Sequence, residues 1–82
     1  MKIYKTNITE WYQGEQEDRL ESYHKTIEGA FDSASTWLED RYGVEESRDV
    51  YEQLVAGNNG YGKWTVELDD IDLYVEEVTV EN

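Results

Sequence analysis

Hydrophobic and polar residues alternate from Lys2 to Tyr12, where β-branched and aromatic side chains are frequent. This alternation predicts a strand that turns one face inward, and the inward residues are Tyr4, Thr6, Ile8 and Tyr12. The polar stretch 14–18 contains a glycine and predicts a turn. A second, shorter strand is therefore expected from about Arg19 to Lys25, so that the two strands form a hairpin.

The spacing of apolar residues then changes to that of an amphipathic helix. Its stripe consists of Ile27, Ala30, Phe31, Ala34, Trp37, Leu38 and Arg41. Thr26 is a suitable N-cap, and Glu28 suits the positive first turn. Gly43 can adopt the left-handed conformation that follows the last turn of a helix.

A second and shorter helix is predicted from another apolar stripe, which consists of Val50, Tyr51, Leu54 and Val55. Ser47 is its candidate N-cap and Gly57 its C-terminal stop. The sequence from Asn58 to Gly62 contains two Asn and two Gly, a composition typical of a loop.

Two alternating segments follow this loop and predict two strands joined by a tight turn at Asp69-Asp70. Their inward residues are Trp64, Val66, Leu68, Ile71, Leu73 and Val75. The parity of the apolar residues then changes to Val78 and Val80, and a β-bulge at Glu76-Glu77 would keep them on the same face.

We find no internal repeat, so the sequence predicts one α+β domain over residues 1–82. The predicted order is β-β-α-α-β-β, with an antiparallel sheet packed on two helices.

The charge of the chain restricts its partners. Twenty Asp or Glu face seven Lys or Arg, which gives a net charge of −13, and three Trp, seven Tyr and one Phe favour a folded domain over an acidic disordered tail. Such a charge argues against direct binding to nucleic acid or to an anionic membrane. Because the N-terminal segment lacks the pattern of a secretion signal, we expect a cytoplasmic protein, located in the host cytoplasm if a phage encodes it.

The residues that carry most enzyme chemistry are scarce. His24 is the only histidine, and there is no cysteine and no glycine-rich phosphate loop, so we expect a rim position for His24, no enzyme and no cofactor. With 20 carboxylates a glycosidase-like pair remains open, although so small a domain leaves little room for a substrate cleft.

The acidic run from Asp69 to Asp72 does not have the spacing of a calcium loop. Counted from Asp70, Tyr74 stands where an oxygen ligand belongs and Val75 where glycine belongs. We therefore expect no metal site.

The candidate partner-binding residues are mostly carboxylates in the segments expected at the surface. They are Glu39, Asp40, Glu45, Glu46, Asp49, Glu52, Asp69, Asp70, Asp72 and Glu76. Trp37 and Trp64 belong to the predicted core, but Trp11 has the opposite parity to Ile8 and is a candidate exposed contact. Tyr61 is a further candidate if the loop is a binding loop, and that loop is explained equally well as a connector.

A short acidic chain without Cys or Pro, with aromatic strands and paired acids such as Glu39-Asp40 and Glu45-Glu46, resembles the small phage anti-defence proteins. These include the anti-CRISPR and anti-restriction DNA mimics. The resemblance covers size and composition over the whole chain. It implies a stoichiometric inhibitor whose acidic face occupies the basic nucleic-acid channel of a CRISPR effector or a restriction nuclease.

The alternative function is a small protein-protein interaction or structural domain whose charge serves solubility. The two differ in where the charge lies. If spread evenly, 13 net charges are several-fold more dilute than those of duplex DNA, which carries about one per 110 Å² of its surface. DNA mimicry therefore requires carboxylates that crowd one face.

Overall fold

Four strands and two helices follow one another in the predicted order. The computed structural model describes residues 1–68 and 70–81; the predicted turn residue Asp69 lies outside them. The elements are β1 (Lys2–Tyr12), β2 (Glu15–His24), α1 (Ile27–Tyr42), α2 (Val44–Ala56), β3 (Lys63–Leu68) and β4 (Ile71–Thr79). The chain is a single compact α+β domain, which confirms the predicted fold class.

The strands form one antiparallel sheet in the spatial order β2-β1-β4-β3. In the register of β1, Ile8 lies opposite Leu20 on one side and Leu73 on the other. Both helices cover the face that carries Ile8, and among the described residues no helix lies on the opposite face. We call this opposite side the open sheet face.

The core lies between the helices and the sheet. Its buried apolar residues are Ile8, Ala30, Phe31, Ala34, Leu38, Val50, Leu54, Val66, Ile71, Leu73 and Val75. The Phe31 ring meets the rings of Tyr51 and Trp64 edge-on, with centroid distances of 6.0 and 5.8 Å. The Thr6 hydroxyl donates to the Ala30 carbonyl at 2.8 Å and so fixes α1 on β1.

The first hairpin is tighter than the sequence predicts. Gln13 and Gly14 both have positive φ angles, 52° and 82°, which is the geometry of a two-residue turn matched to the twist of the strands. The strand β2 therefore begins at Glu15 instead of Arg19. A register shift after Glu10 and the position of Tyr12 directly before the turn leave Tyr12 62% exposed, so its predicted inward position is wrong.

Both ends of α1 and the C-terminal end of α2 at Gly57 agree with the sequence, whereas the start of α2 does not. The Thr26 hydroxyl accepts the Gly29 N–H at 3.1 Å, and Gly43 has a φ of 87°, so both predicted ends are confirmed. The helix α2 begins at Val44, three residues before the predicted cap. Ser47 is buried inside it, and its hydroxyl donates to the Val44 carbonyl at 2.9 Å. Val55 is exposed instead of lying on the buried stripe.

The predicted bulge at Glu76-Glu77 is wrong. Pairing of β4 with β1 continues without a register shift, so Val78 lies opposite Ile3 on the open sheet face. The two side chains form an apolar cross-strand pair there, which removes the need to return Val78 to the core face. Glu77 takes the helix-side position and pairs with Lys2 at 2.9 Å.

Candidate functional site

The outer surface of the two helices carries eight exposed carboxylates. They are Glu28, Asp32, Glu39, Asp40, Glu45, Glu46, Asp49 and Glu52, and we call this set the acidic helix surface. Both helices turn their apolar stripes toward the sheet, so their polar positions must face outward together. The fold therefore gathers on one side acids that are 24 residues apart at most along the chain.

Few positive charges oppose this surface. Residues 27–56 contain only two cations, Arg41 and Arg48. The Arg41 guanidinium forms an ion pair with Glu10 of β1, with Nε donating to Oε2 at 2.8 Å, and lies 5.4 Å from the centre of the Trp37 ring. Arg41 is thus engaged by the sheet, and Arg48 lines the groove between the helices together with Asp32 and Glu39.

The local charge density reaches that of DNA. The outward halves of two helices of these lengths, taken as half-cylinders with a 1.5 Å rise per residue and a diameter of about 10 Å, have an area of roughly 700 Å². Eight acids and two arginines leave six net negative charges on this area, or about one per 115 Å². Duplex DNA carries about one per 110 Å². The crowding that mimicry requires is therefore present on this side.

The open sheet face is different because its charges are nearly balanced. It carries four carboxylates and three cations, which are Glu21, Glu67, Asp72, Glu76, Lys5, Arg19 and Lys63. Several of them pair with one another, so the face has little net field. The fold therefore places a strong net negative charge on the helix side and a nearly balanced set of charges on the open sheet face.

Glu21 is the centre of the pairing on the open sheet face. Its carboxylate lies 3.1 Å from Lys5 Nζ, 3.1 Å from an Arg19 nitrogen and 3.0 Å from the Tyr23 hydroxyl, which donates to it. The hydrogen bonds from Lys5 and Tyr23 lower the pKa of Glu21, and the bond to Glu21 raises the pKa of Lys5 and of Tyr23. Around neutral pH the Glu21 carboxylate and the Lys5 ammonium are therefore charged, whereas the Tyr23 phenol keeps the proton that it donates, because its pKa is raised.

A shallow groove of about 340 Å³ runs along the open sheet face. Asn7 and Thr9 lie beneath it and are buried, although no helix covers them. The Lys63 ammonium stands 4.3 Å from the centre of the Tyr74 ring beside the same groove. Lys63 therefore already covers the Tyr74 ring, which is the aromatic surface of this groove.

The structure brings together only part of the predicted site. Six of the predicted carboxylates belong to the acidic helix surface: Glu39, Asp40, Glu45, Glu46, Asp49 and Glu52. Asp70 lies in the β3–β4 turn, while Asp72 and Glu76 lie on the open sheet face with Trp11, whose indole N–H donates to Asp72 at 3.0 Å. Tyr61 is 92% exposed in the loop before β3.

The sequence analysis missed two members of the acidic helix surface, Glu28 and Asp32. Both lie on the outer side of α1, and Asp32 lines the interhelical groove with Glu39. Their spacing from each other and from Glu39 is four and seven residues, which places all three on one helix face. That helical spacing was the available signal.

His24 lies half-buried at the edge of the sheet. Its Nε2 is 2.8 Å from the Ser22 hydroxyl, which is 3.2 Å from the Ser33 hydroxyl. Within residues 1–68 and 70–81, no three His, Asp or Glu side chains converge as metal ligands, and no helix is long and apolar enough to cross a membrane.

Comparison with known protein families, with characterised proteins and with solved structures finds no match for this chain.

Proposed function

We propose that this protein is an inhibitor that binds, through its acidic helix surface, a basic protein surface that otherwise holds nucleic acid. The partner class is a defence nuclease, either a CRISPR effector or a restriction enzyme. The observation that carries the proposal is the segregation of charge, with eight carboxylates and two arginines on the helices and a nearly balanced face on the other side.

The local density of charge explains how such a surface would compete with DNA. A basic channel attracts phosphates mainly through the field of closely spaced charges. The acidic helix surface offers a similar spacing on a rigid support, because both helices are anchored in the core. Charge that served solubility alone would have no reason to differ so strongly between the two sides.

Charge reversal at two matched places tests the proposal. The first variant converts Glu45, Glu46 and Asp49 to Lys. The second converts Glu15, Glu17 and Asp18 to Lys at the tip of the β1–β2 hairpin, with the same change in total charge. Binding to purified nucleic-acid-free CRISPR effectors and type I restriction enzymes is measured by electrophoretic shift, with and without duplex DNA.

We expect at least one enzyme to bind the wild type, with DNA displacing the protein and salt weakening the complex. The helix reversal should abolish this binding while the hairpin reversal retains it. Equal losses in both variants, or binding that DNA does not displace, would refute recognition through the acidic helix surface. Binding to none of these enzymes would refute the partner class.

A further inference from the structure

A small depression lies at one corner of the molecule, where the end of α1, the first turns of α2 and the β3–β4 turn meet. It has a volume of about 250 Å³ and is lined by Tyr42, Glu46, Val50, Leu68 and Asp70. Three of these side chains are apolar or aromatic, and the other two are carboxylates. Its volume is below the ~300–1,000 Å³ of typical small-molecule pockets and suits a single long side chain. We call it the corner pocket.

The two carboxylates of the corner pocket come from different elements and are both exposed. Among the described residues, neither Glu46 nor Asp70 forms a side-chain hydrogen bond or a salt bridge. Two negative charges at one apolar depression repel each other. A cation placed between them would remove this repulsion.

Two other depressions on the described surface already contain a cation of the chain, and a third, at the hairpin tip, is lined by Tyr12, Glu15, Gln16 and Glu17 without an aliphatic side chain. Arg48 lines the groove between the helices beside Asp32 and Glu39. Lys63 lies against Tyr74 in the groove of the open sheet face. The corner pocket combines the same chemistry, carboxylates beside an aromatic ring, without a basic residue among its lining residues.

We infer that the corner pocket receives an arginine side chain of the partner protein. The methylene stem would pack on Val50 and Leu68, and the guanidinium would stack on the Tyr42 ring between Glu46 and Asp70. Arginine suits the pocket better than lysine because its planar, weakly hydrated head both stacks and donates to two carboxylates at once. The acids give the pocket its charge complementarity, and its apolar lining distinguishes it from the rest of the acidic helix surface.

This inference rests on the proposed function, since it supplies an anchor for the basic partner. Long-range charge steers association, whereas a filled pocket slows dissociation. Residues of this kind, a buried arginine among aromatic and acidic groups, are common hot spots of protein interfaces. The pocket would therefore provide the specificity that a smooth field of charge lacks.

A titration with N-acetyl-arginine methylamide tests the pocket without any partner. The amide chemical shifts of the protein are followed by NMR. The lysine analogue tests whether the guanidinium is needed, and the uncharged norleucine analogue tests whether a positive charge is needed. The pocket variant combines Glu46→Gln with Asp70→Asn. The matched control combines Asp18→Asn with Glu81→Gln, which removes the same charge at two exposed positions that line none of these depressions. Tyr42→Leu removes the aromatic ring alone.

We expect saturable shifts centred on Tyr42, Val50 and Leu68 with the arginine probe, weaker binding of the lysine analogue and none of norleucine. The pocket variant should bind the arginine probe roughly fivefold more weakly or worse. Tyr42→Leu should also bind this probe more weakly, and the control variant should bind it as tightly as the wild type. Equal binding of arginine and lysine, or equal binding by the pocket variant and the wild type, would refute the inference.

The two proposals fail separately. If arginine does not enter the pocket but the helix reversal abolishes enzyme binding, only the pocket is wrong. If arginine enters the pocket but no nuclease binds, only the proposed partner class is wrong.

Discussion

Phe31 holds the centre of the core, because it is the residue at which α1, α2 and β3 meet. Its side chain is 6% exposed and packs edge-on against one ring from each neighbouring element. Trp37 lies on the same helix but is only partly buried, and the Arg41 guanidinium covers one side of its ring. The sequence places both on one buried stripe, whereas the structure gives them different environments.

We therefore predict that Phe31→Ala lowers the free energy of unfolding by about 3–5 kcal/mol, the usual cost of emptying a buried aromatic site. Trp37→Ala should cost less, about 1–2 kcal/mol, because part of the ring is in solvent already. Urea denaturation measures both values, and the exposed Thr36→Ala should stay within about 0.5 kcal/mol of the wild type. A larger loss for Trp37→Ala than for Phe31→Ala would contradict this assignment of the core.

At the scale of the elements, the segment after α2 closes the outer edge of β3. The Thr65 N–H donates to the Gly57 carbonyl at 3.3 Å, and the Asn59 N–H donates to the Lys63 carbonyl at 2.9 Å. These bonds occupy backbone groups that would otherwise form an open sheet edge. The backbones of Gly57 and Thr65 are so close that a Cβ at Gly57 would overlap the Thr65 carbonyl oxygen.

Gly57→Ala should consequently destabilise the protein by about 3 kcal/mol, because the rigid backbone of β3 must move. Gly60→Ala in the same segment is the matched comparison: its Cβ would meet open space, but its φ of 84° gives a smaller cost of about 1–2 kcal/mol. Thermal melting of the two variants measures the difference. Equal melting temperatures would show that the contact at Gly57 does not limit stability.

At the scale of the whole molecule, charge is distributed unequally between the helix side and the open sheet face. The helices carry six of the 13 net negative charges on 30 of the 82 residues, while the open sheet face balances its four acids with Lys5, Arg19 and Lys63. Such concentration costs stability through repulsion between neighbouring carboxylates. The helices therefore carry an electrostatic cost that the nearly balanced open sheet face does not.

We predict that added NaCl stabilises the protein, because salt screens repulsion among exposed charges over a Debye length of about 8 Å at physiological ionic strength. A gain of about 1 kcal/mol would raise the melting temperature by roughly 4–8 °C. Scanning calorimetry from low to high salt measures it. Conversion of Glu45, Glu46 and Asp49 to Lys should reduce the response, and an equal response in that variant would place the repulsion elsewhere.

The sequence by itself determined the elements and the fold class, because these depend on short-range periodicity. The stripe that begins at Ile27, its cap at Thr26 and its end at Gly43 all lie within a few residues of one another. The errors occurred where a local pattern competes with a distant contact. Val78 keeps to the open sheet face because Ile3 lies opposite it, and Ser47 is buried because α2 begins before it.

The candidate site was decided mainly by the tertiary structure. The sequence supplied the number of acids, but only the packing of both helices on one side of the sheet separates Glu45 from Asp72 and joins it with Glu28. The corner pocket depends on tertiary structure still more, because Tyr42 and Asp70 are 28 residues apart and meet only where α1 ends beside the β3–β4 turn. Charge is a property of composition, whereas its density on a surface is a property of the fold.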